Sequence, residues 1–330
     1  MTNPPMPPTD STEVLDETPV PSHGPSAPTS RRLSRRRLVL RRFLRNKTAV
    51  LGLLVILAMA ALAVFGPLIS AWDYEQIDRT SFLNPPDARH PFGTTQSGID
   101  MFALTLRGLS KSLLIGLAVA LISTAIAAVV GSFAAYYGGW FERIALWVID
   151  LLLVVPSFLI IAIMMSADRS GGNASAFDRF VASAPQWIVL IILLALFSWM
   201  LAARVVRSLT LSVKEREYVE AARFMGIPGP IIVVRHILPN ISSLLIIDAT
   251  LNVAAAILAE TSLSFFGFGV KPPDTSLGAL LGVGARQATT FPWLFVPPAV
   301  AVVLLILAVN AVGDGLRDAL DPSSGSGGRV

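Results

Sequence analysis

Six long apolar runs, at 48–70, 112–137, 144–167, 186–203, 244–268 and 292–312, divide the 330-residue chain. A helix rises about 1.5 Å per residue, so runs of about 20 residues are long enough to cross roughly 30 Å of hydrocarbon. The composition agrees. The chain is 53% hydrophobic and 15% charged, against roughly 25% charged in an average soluble domain, which leaves too few polar residues to cover a globule of this size. The expected fold is an all-α membrane protein with six transmembrane helices.

Charge placement orients those helices. Of the 26 Lys and Arg residues, 9 lie at 31–47, directly before the first run, among Leu33, Leu38, Leu40, Phe43 and Leu44. This segment reads as a basic interfacial stretch on lipid headgroups rather than a nucleic-acid surface. The stretch 1–30, with eight prolines and no Lys or Arg, reads as a disordered cytoplasmic tail. Paired arginines ahead of an apolar run resemble a twin-arginine signal, but 48–70 is long for a signal core, so an uncleaved first transmembrane helix is expected. With the N-terminus inside, the inner segments (1–47, 138–143, 204–243, 313–330) carry 18 Lys and Arg and the outer ones (71–111, 168–185, 269–291) carry 8. The positive-inside rule then places both termini, including a 313–330 tail, in the cytoplasm. The extracytoplasmic loop 71–111 separates the first helix from a five-helix core at 112–312, and its 41 residues are enough for structure of its own.

Several chemistries are excluded. There is no cysteine, and the three histidines, His23, His90 and His236, fall in three separate extramembrane segments. Thiolate sites are absent, no metal site is expected, and no span holds a His or Cys that could pair as base and nucleophile. None of the four lysines follows a glycine, so there is no P-loop, and any ATP used must be bound by a partner.

The inner loop 204–243 carries the most information. Residues 215–225 are good helix formers, and Tyr218, Ala221, Ala222 and Met225 share one helical face. Gly226 suits the left-handed position that closes such a helix, and Pro228, Gly229 and Pro230 prevent its continuation. A second short helix is expected at 231–237, ending before Pro239, which would turn the chain into the fifth span. On these residues alone the loop is either a solvated connector or a docking surface.

A resemblance separates the two. Glu220, Ala221, Ala222, Gly226, Leu238 and Pro239 match the EAA motif of ABC importer permeases at its spacing, with His236 and Ile237 in the form that resembles the peptide-importer branch. Three further stretches are similar to that branch: HPFGTTQSGIDMFALTLRGLSKSLLIG at 90–116, where Ile99 replaces a common Arg, LAETSLSFFGFGVKPPD at 258–274, and GDGLRDALDP at 313–322. Together they resemble the C-type permease of oligopeptide and dipeptide importers over most of 31–322. The resemblance implies a type I importer permease fold in the bacterial cytoplasmic membrane. It also implies a homologous B-type permease, one or two ATP-binding subunits that hold ATP and Mg, and an extracytoplasmic peptide-binding protein docking on 71–111 and 271–286. No cofactor is implied for this chain itself. Tyr218, Glu220, Ala221, Ala222, Met225, Gly226, Leu238 and Pro239 become the ATPase-coupling candidates, with Glu220 orienting the contact. Related permeases carry haem, nickel or glutathione, so the cargo stays open at this point.

Three carboxylates sit inside predicted spans, where a charge costs from about 2.5 kcal/mol upward. Asp150 and Asp248 are expected to pair with interfacial Arg or with backbone. Glu260 is expected to be hydrogen-bonded at its helix end or to the partner permease; the alternative, a proton relay, would make the protein a secondary transporter. Pro156, Asn252, Glu260 and Gly267 are the candidates for translocation or gating.

Overall fold

A computed structural model describes residues 35–166 and 183–320. The tail expected at 1–30 and most of the 168–185 loop lie outside the described residues, as do the start of the basic segment and the last ten positions. The helices are α1 (Arg35–Arg45), α2 (Lys47–Ile69), α3 (Met101–Tyr137), α4 (Gly139–Val154), α5 (Ser157–Ser166) and α6 (Gln186–Lys214). After them come α7 (Glu217–Phe224), α8 (Gly229–Ile232), a π-helical turn (Val233–Ile237), α9 (Leu238–Phe265), α10 (Leu277–Ala285) and α11 (Val296–Leu320).

Among the described residues five segments are long and apolar enough to cross a membrane, and α4 with α5 makes a sixth that is bent by 72°. The six-span, all-α architecture read from the apolar runs is therefore present. The helices nevertheless outrun the apolar runs. The second begins at Met101, eleven residues ahead of its run, where the Asp100 carboxylate accepts from the Ala103 N–H at 2.8 Å. The fourth continues to Lys214 and the last to Leu320. Hydropathy marks the thickness of lipid, whereas caps mark where a helix stops.

The centre of the bundle is α3. Ser112, Gly116, Ala120, Ser123, Ala127, Gly131 and Ala135 recur at helical spacing along it, and all are buried. Lipid supplies no hydrophobic drive for helices to associate, so close approach of small residues must supply the attraction. The fit is tight. A β-carbon at Gly131 would lie 2.5 Å from the Ala203 carbonyl oxygen of α6, and one at Gly116 would lie 2.5 Å from Ile257 of α9. On the far side α2 and α11 pack together, with Gly315 against Ala49 and Gly52 against the Ala308 carbonyl. This brings the start of α2 beside the end of α11, where Asn46 donates to Asp318 at 3.4 Å.

Residues 70–100 form a cap with two isolated antiparallel bridges, Ile77 to Ile99 and Thr94 to Asp100. At its centre the buried His90 ring lies between two carboxylates, 2.9 Å from Asp100 and 3.4 Å from Asp78, with Trp72 against its face. One oxygen of Asp100 meets His90 while the other caps α3, so this residue couples cap and span. Hydrogen bonds from the Thr80 hydroxyl and N–H hold Asp78 far below the usual carboxylate range. The His90 N–H does the same, less strongly, for Asp87.

Two outcomes follow from this packing. Gly131→Leu must separate α3 from α6, so it should destabilise the purified protein by about 1–3 kcal/mol or more; thermal unfolding in detergent measures this. For the cap, both folded-state pKa values lie below the unfolded ones, so their stabilisation is complete above about pH 4 and is lost as pH falls through the lowered values. Amide protection factors, which remove the slower intrinsic exchange in acid, should therefore fall at 77–99 between pH 6 and pH 2.5 while those in the middle of α3 are maintained.

Candidate coupling loop and membrane-face residues

At one end of the bundle α7 and α8 form a small domain with its own core. Val219 and Ala222 of α7 are buried with Ile232, Val233 and Ile237, and Phe133, Tyr136, Val213 and Ile227 pack around them. The helix is shorter than the 215–225 expected, because Arg216 is extended and serves as its N-cap. Its predicted face divides in two. Ala222 turns inward and is fully buried, whereas Tyr218, Glu220, Ala221 and Met225 are exposed. The chain closes α7 as expected at Gly226, whose φ of 75° is left-handed, and the Ile227 N–H reaches back to the Ala222 carbonyl at 3.2 Å.

Beside Met225 stands Phe224, 89% exposed, at the tip of the loop. Sequence reasoning passed over it. Tyr218, Ala221 and Phe224 fall at i, i+3 and i+6, so the outer face could have been drawn through Phe224 instead of through Ala222.

The second half of the loop differs from expectation. No helix ends before Pro239: α8, the π turn and α9 form one continuous helix, Gly229–Phe265, of 37 residues. Proline has no N–H and its ring pushes away the carbonyl four residues back. The chain absorbs this by widening one turn, so that the Leu238 N–H bonds the Val233 carbonyl five residues back. Leu238 is half-buried and Pro239 exposed. The helix is about 55 Å long, so the loop core and the fifth span are two ends of one rod. Asn240 donates to the Tyr218 hydroxyl and ties α7 to it.

The carboxylates within the spans meet different partners. Asp150 of α4 pairs with Arg204 of α6, and Glu142 pairs with Arg207 one turn nearer the loop. Asp248 does not meet an arginine; its partner is the Asn252 amide at 2.9 Å, one turn along α9. Glu260 is fully buried and accepts from Ser112 of α3 at 3.0 Å and Ser264 at 2.6 Å. Ser112 in turn accepts from the Leu277 N–H at 3.2 Å, so Glu260 joins α3, α9 and the start of α10 within this chain.

Pro156 stands at the bend between α4 and α5. Gly267, with φ of 85°, lets the chain reverse after α9, and the Phe268 N–H returns to the Leu263 carbonyl at 2.8 Å. Beyond it Asp274 receives Arg107 at 2.6 Å and Lys111 at 2.9 Å. Burial opposes its ionisation, but those two cations outweigh burial and hold its pKa below the ordinary value. That cluster was not anticipated, because its members are 167 residues apart. Among the described residues no group of three or more His, Asp or Glu is placed to hold a metal.

Residues 127–325 match the family described as binding-protein-dependent transport system inner membrane component. Residues 34–86 match the N-terminal transmembrane domain of oligopeptide transport permease C. The chain is 50% identical over 293 residues to the oligopeptide transport system permease protein OppC of Mycobacterium tuberculosis (strain H37Rv), covering 89% of this chain and 96% of that one. It is 34% identical over 281 residues to the protein of the same name from Bacillus subtilis, covering 85% and 87%.

The two faces of α7 are separable by substitution. Ala222→Leu overfills the loop core and should destabilise it by about 1–3 kcal/mol, whereas Ala221→Leu on the outer face should leave it unchanged. Limited proteolysis of the loop in detergent distinguishes the two.

Proposed function

We infer that this chain, which belongs to the family of binding-protein-dependent transport system inner membrane components, is the permease subunit of an ABC importer that carries peptides across the bacterial inner membrane. The observation that carries the reading is the loop: an exposed row of Tyr218, Ala221, Phe224 and Met225 stands on a private core that runs without a break into the fifth span. A rod of this kind transmits rotation. A rigid element is what converts a domain motion outside the membrane into rearrangement within it.

The finer assignments are proposals. ATP and Mg are bound by one or two partner ATPases, and this chain, which has no P-loop lysine, is non-catalytic. The coupling residues are Tyr218, Glu220, Ala221, Met225 and Gly226, to which Phe224 is added as the aromatic anchor. Buried Ala222, with Leu238 and Pro239, holds the loop's shape rather than touching the ATPase. An aromatic side chain this exposed is the type that dominates interface energy once it is covered. Both termini are proposed to be cytoplasmic, a reading that the charge distribution favours. The cap at 70–100 and the Asp274 region face an extracytoplasmic binding protein, and a homologous B-type permease completes the pathway. Pro156 and Gly267 act as bends during alternating access. Glu260 is a structural tie, because its hydrogen bonds are to serines and, among the described residues, no second carboxylate bonds to it.

The transporter reconstituted in proteoliposomes tests this. Phe224→Ala should cost about 2 kcal/mol of ATPase docking, a drop of roughly thirtyfold in affinity, and Glu220→Lys should abolish uptake while the permease stays in the membrane. Peptide uptake should fail on ATP depletion and survive a protonophore. Wild-type uptake rates in both variants would remove the coupling assignment, and uptake driven by a proton gradient without ATP would restore the secondary-transporter alternative.

A further inference from the structure

Where α3, α4, α6 and α9 meet, a cavity of about 390 Å³ opens at the surface of the bundle. Its α9 wall is the row Asp248, Asn252, Ala255 and Ala259, at i, i+4, i+7 and i+11 on one helical face. Asp248 is the only charged residue among those lining it; Ser123, Ser198 and Asn252 are the other polar ones, and the remainder is apolar.

The hydrogen-bond inventory is one-sided. Ser123 donates to the Ala120 carbonyl at 3.2 Å and Ser198 to the Leu194 carbonyl at 2.6 Å, so both hydroxyls retain acceptor lone pairs. Asn252 donates one amide N–H to Asp248, which leaves its oxygen as an acceptor and its second N–H as the remaining donor. The cavity therefore offers a carboxylate, an amide oxygen and the Ser198 hydroxyl oxygen against one amide N–H, while Ser123 has no exposed surface. The neighbouring carboxylates Asp150 and Glu142 are each neutralised by an arginine, and among the described residues none meets Asp248. A carboxylate within a span is costly unless a cation meets it.

We propose that Asp248 and Asn252 form a transient site for the ammonium groups of the transported peptide. The proposal rests on the importer reading. An ammonium carries three N–H donors and no acceptor, the complement of this cavity. Every free peptide has one at its N-terminus, and lysine side chains add others. The volume is near the lower end of small-molecule pockets, room for a residue or two rather than for a whole peptide. A single ion pair also suits transit, since a site on a pathway must release what it binds.

The cysteine-free sequence permits a direct test in the complete transporter with cysteine-free partner subunits. Ala255→Cys places one thiol two turns from Asp248. After correction for their rates on a free thiol, a trimethylammonium methanethiosulfonate should label it about tenfold faster than the sulfonate analogue. Asp248→Asn should bring that ratio near one, and Asp248→Glu should restore it. Tri-lysine and tri-alanine should slow labelling only when the carboxylate is present, and N-acetyl-tri-alanine should not; protection by tri-lysine alone confines the site to side-chain ammonium groups. A ratio unaffected by Asp248→Asn, a thiol that neither reagent reaches, or a complex that falls apart on that substitution assigns Asp248 to a subunit contact and overturns the site. A transporter that labels as expected yet imports no peptide overturns the importer reading instead.

Discussion

The seam of small residues along α3 is the constraint on which the rest of the molecule depends. Helices in lipid gain little from hiding apolar side chains from one another, so their association rests on how closely backbones approach. With Gly131 against the Ala203 carbonyl and Gly116 against Ile257, α3, α6 and α9 form one packed unit. A charged group buried near that unit is costly unless it is met inside it. Ser112 shows how: the same hydroxyl donates to Glu260 and accepts from Leu277, so the buried carboxylate secures a third helix instead of destabilising two.

In the proposed coupling role, rigidity at the seam gives the loop something to move. The core under α7 includes Phe133 and Tyr136 at the end of α3 as well as Ile232, Val233 and Ile237 of the rod that continues into α9. A force on the exposed tip therefore reaches α9 along its axis and α3 through side-chain contacts. The π turn keeps this path intact. A straight break at Pro239 would have left a hinge there, and a hinge would dissipate the motion that a coupling element has to pass on.

Much of this was legible in the sequence, and the parts that were not share a cause. Apolar runs located all six spans because lipid imposes length and polarity locally. Gly226 announced its own backbone conformation, since few other residues adopt a positive φ. Pro239 misled because its local preference is to end a helix, whereas the continuous rod is maintained by Val233 and Ile237 packing against α7. The inward turn of Ala222 was equally hidden, because one face of an eight-residue helix can be drawn in two ways until its neighbour is known. Asn252 beside Asp248 and Ser264 beside Glu260 are i+4 neighbours on one helix that the spacing could have paired, but Ser112 at Glu260 and the two cations at Asp274 are set by how helices distant in sequence meet, and no periodicity reports that. The geometry shows where these side chains lie; the coupling and gating roles given to them are proposals that rest on it.

A packed seam also bears on where cargo can pass. The interior between α3, α6 and α9 is filled by residues such as Ile115, Leu190, Leu194 and Ile257, so no route through the middle of this bundle is open without separating the helices that hold it together. Asp248 and Asn252, with Ser123 and Ser198, line a cavity that opens at its surface. Helix α4 points the same way: of its residues only Ile149 is buried, while Trp140, Trp147, Leu151 and Val154 are exposed, and it is tied to α6 by two ion pairs and by the packing of Ile149 and Leu152 in the cluster around Trp199 and Met200. A loosely held helix ending at a 72° bend, beside a surface cavity, is the arrangement of a wall rather than of a channel. A wall requires a second wall, which is the physical argument for pairing with another permease and for a pathway that opens between the two subunits instead of within one.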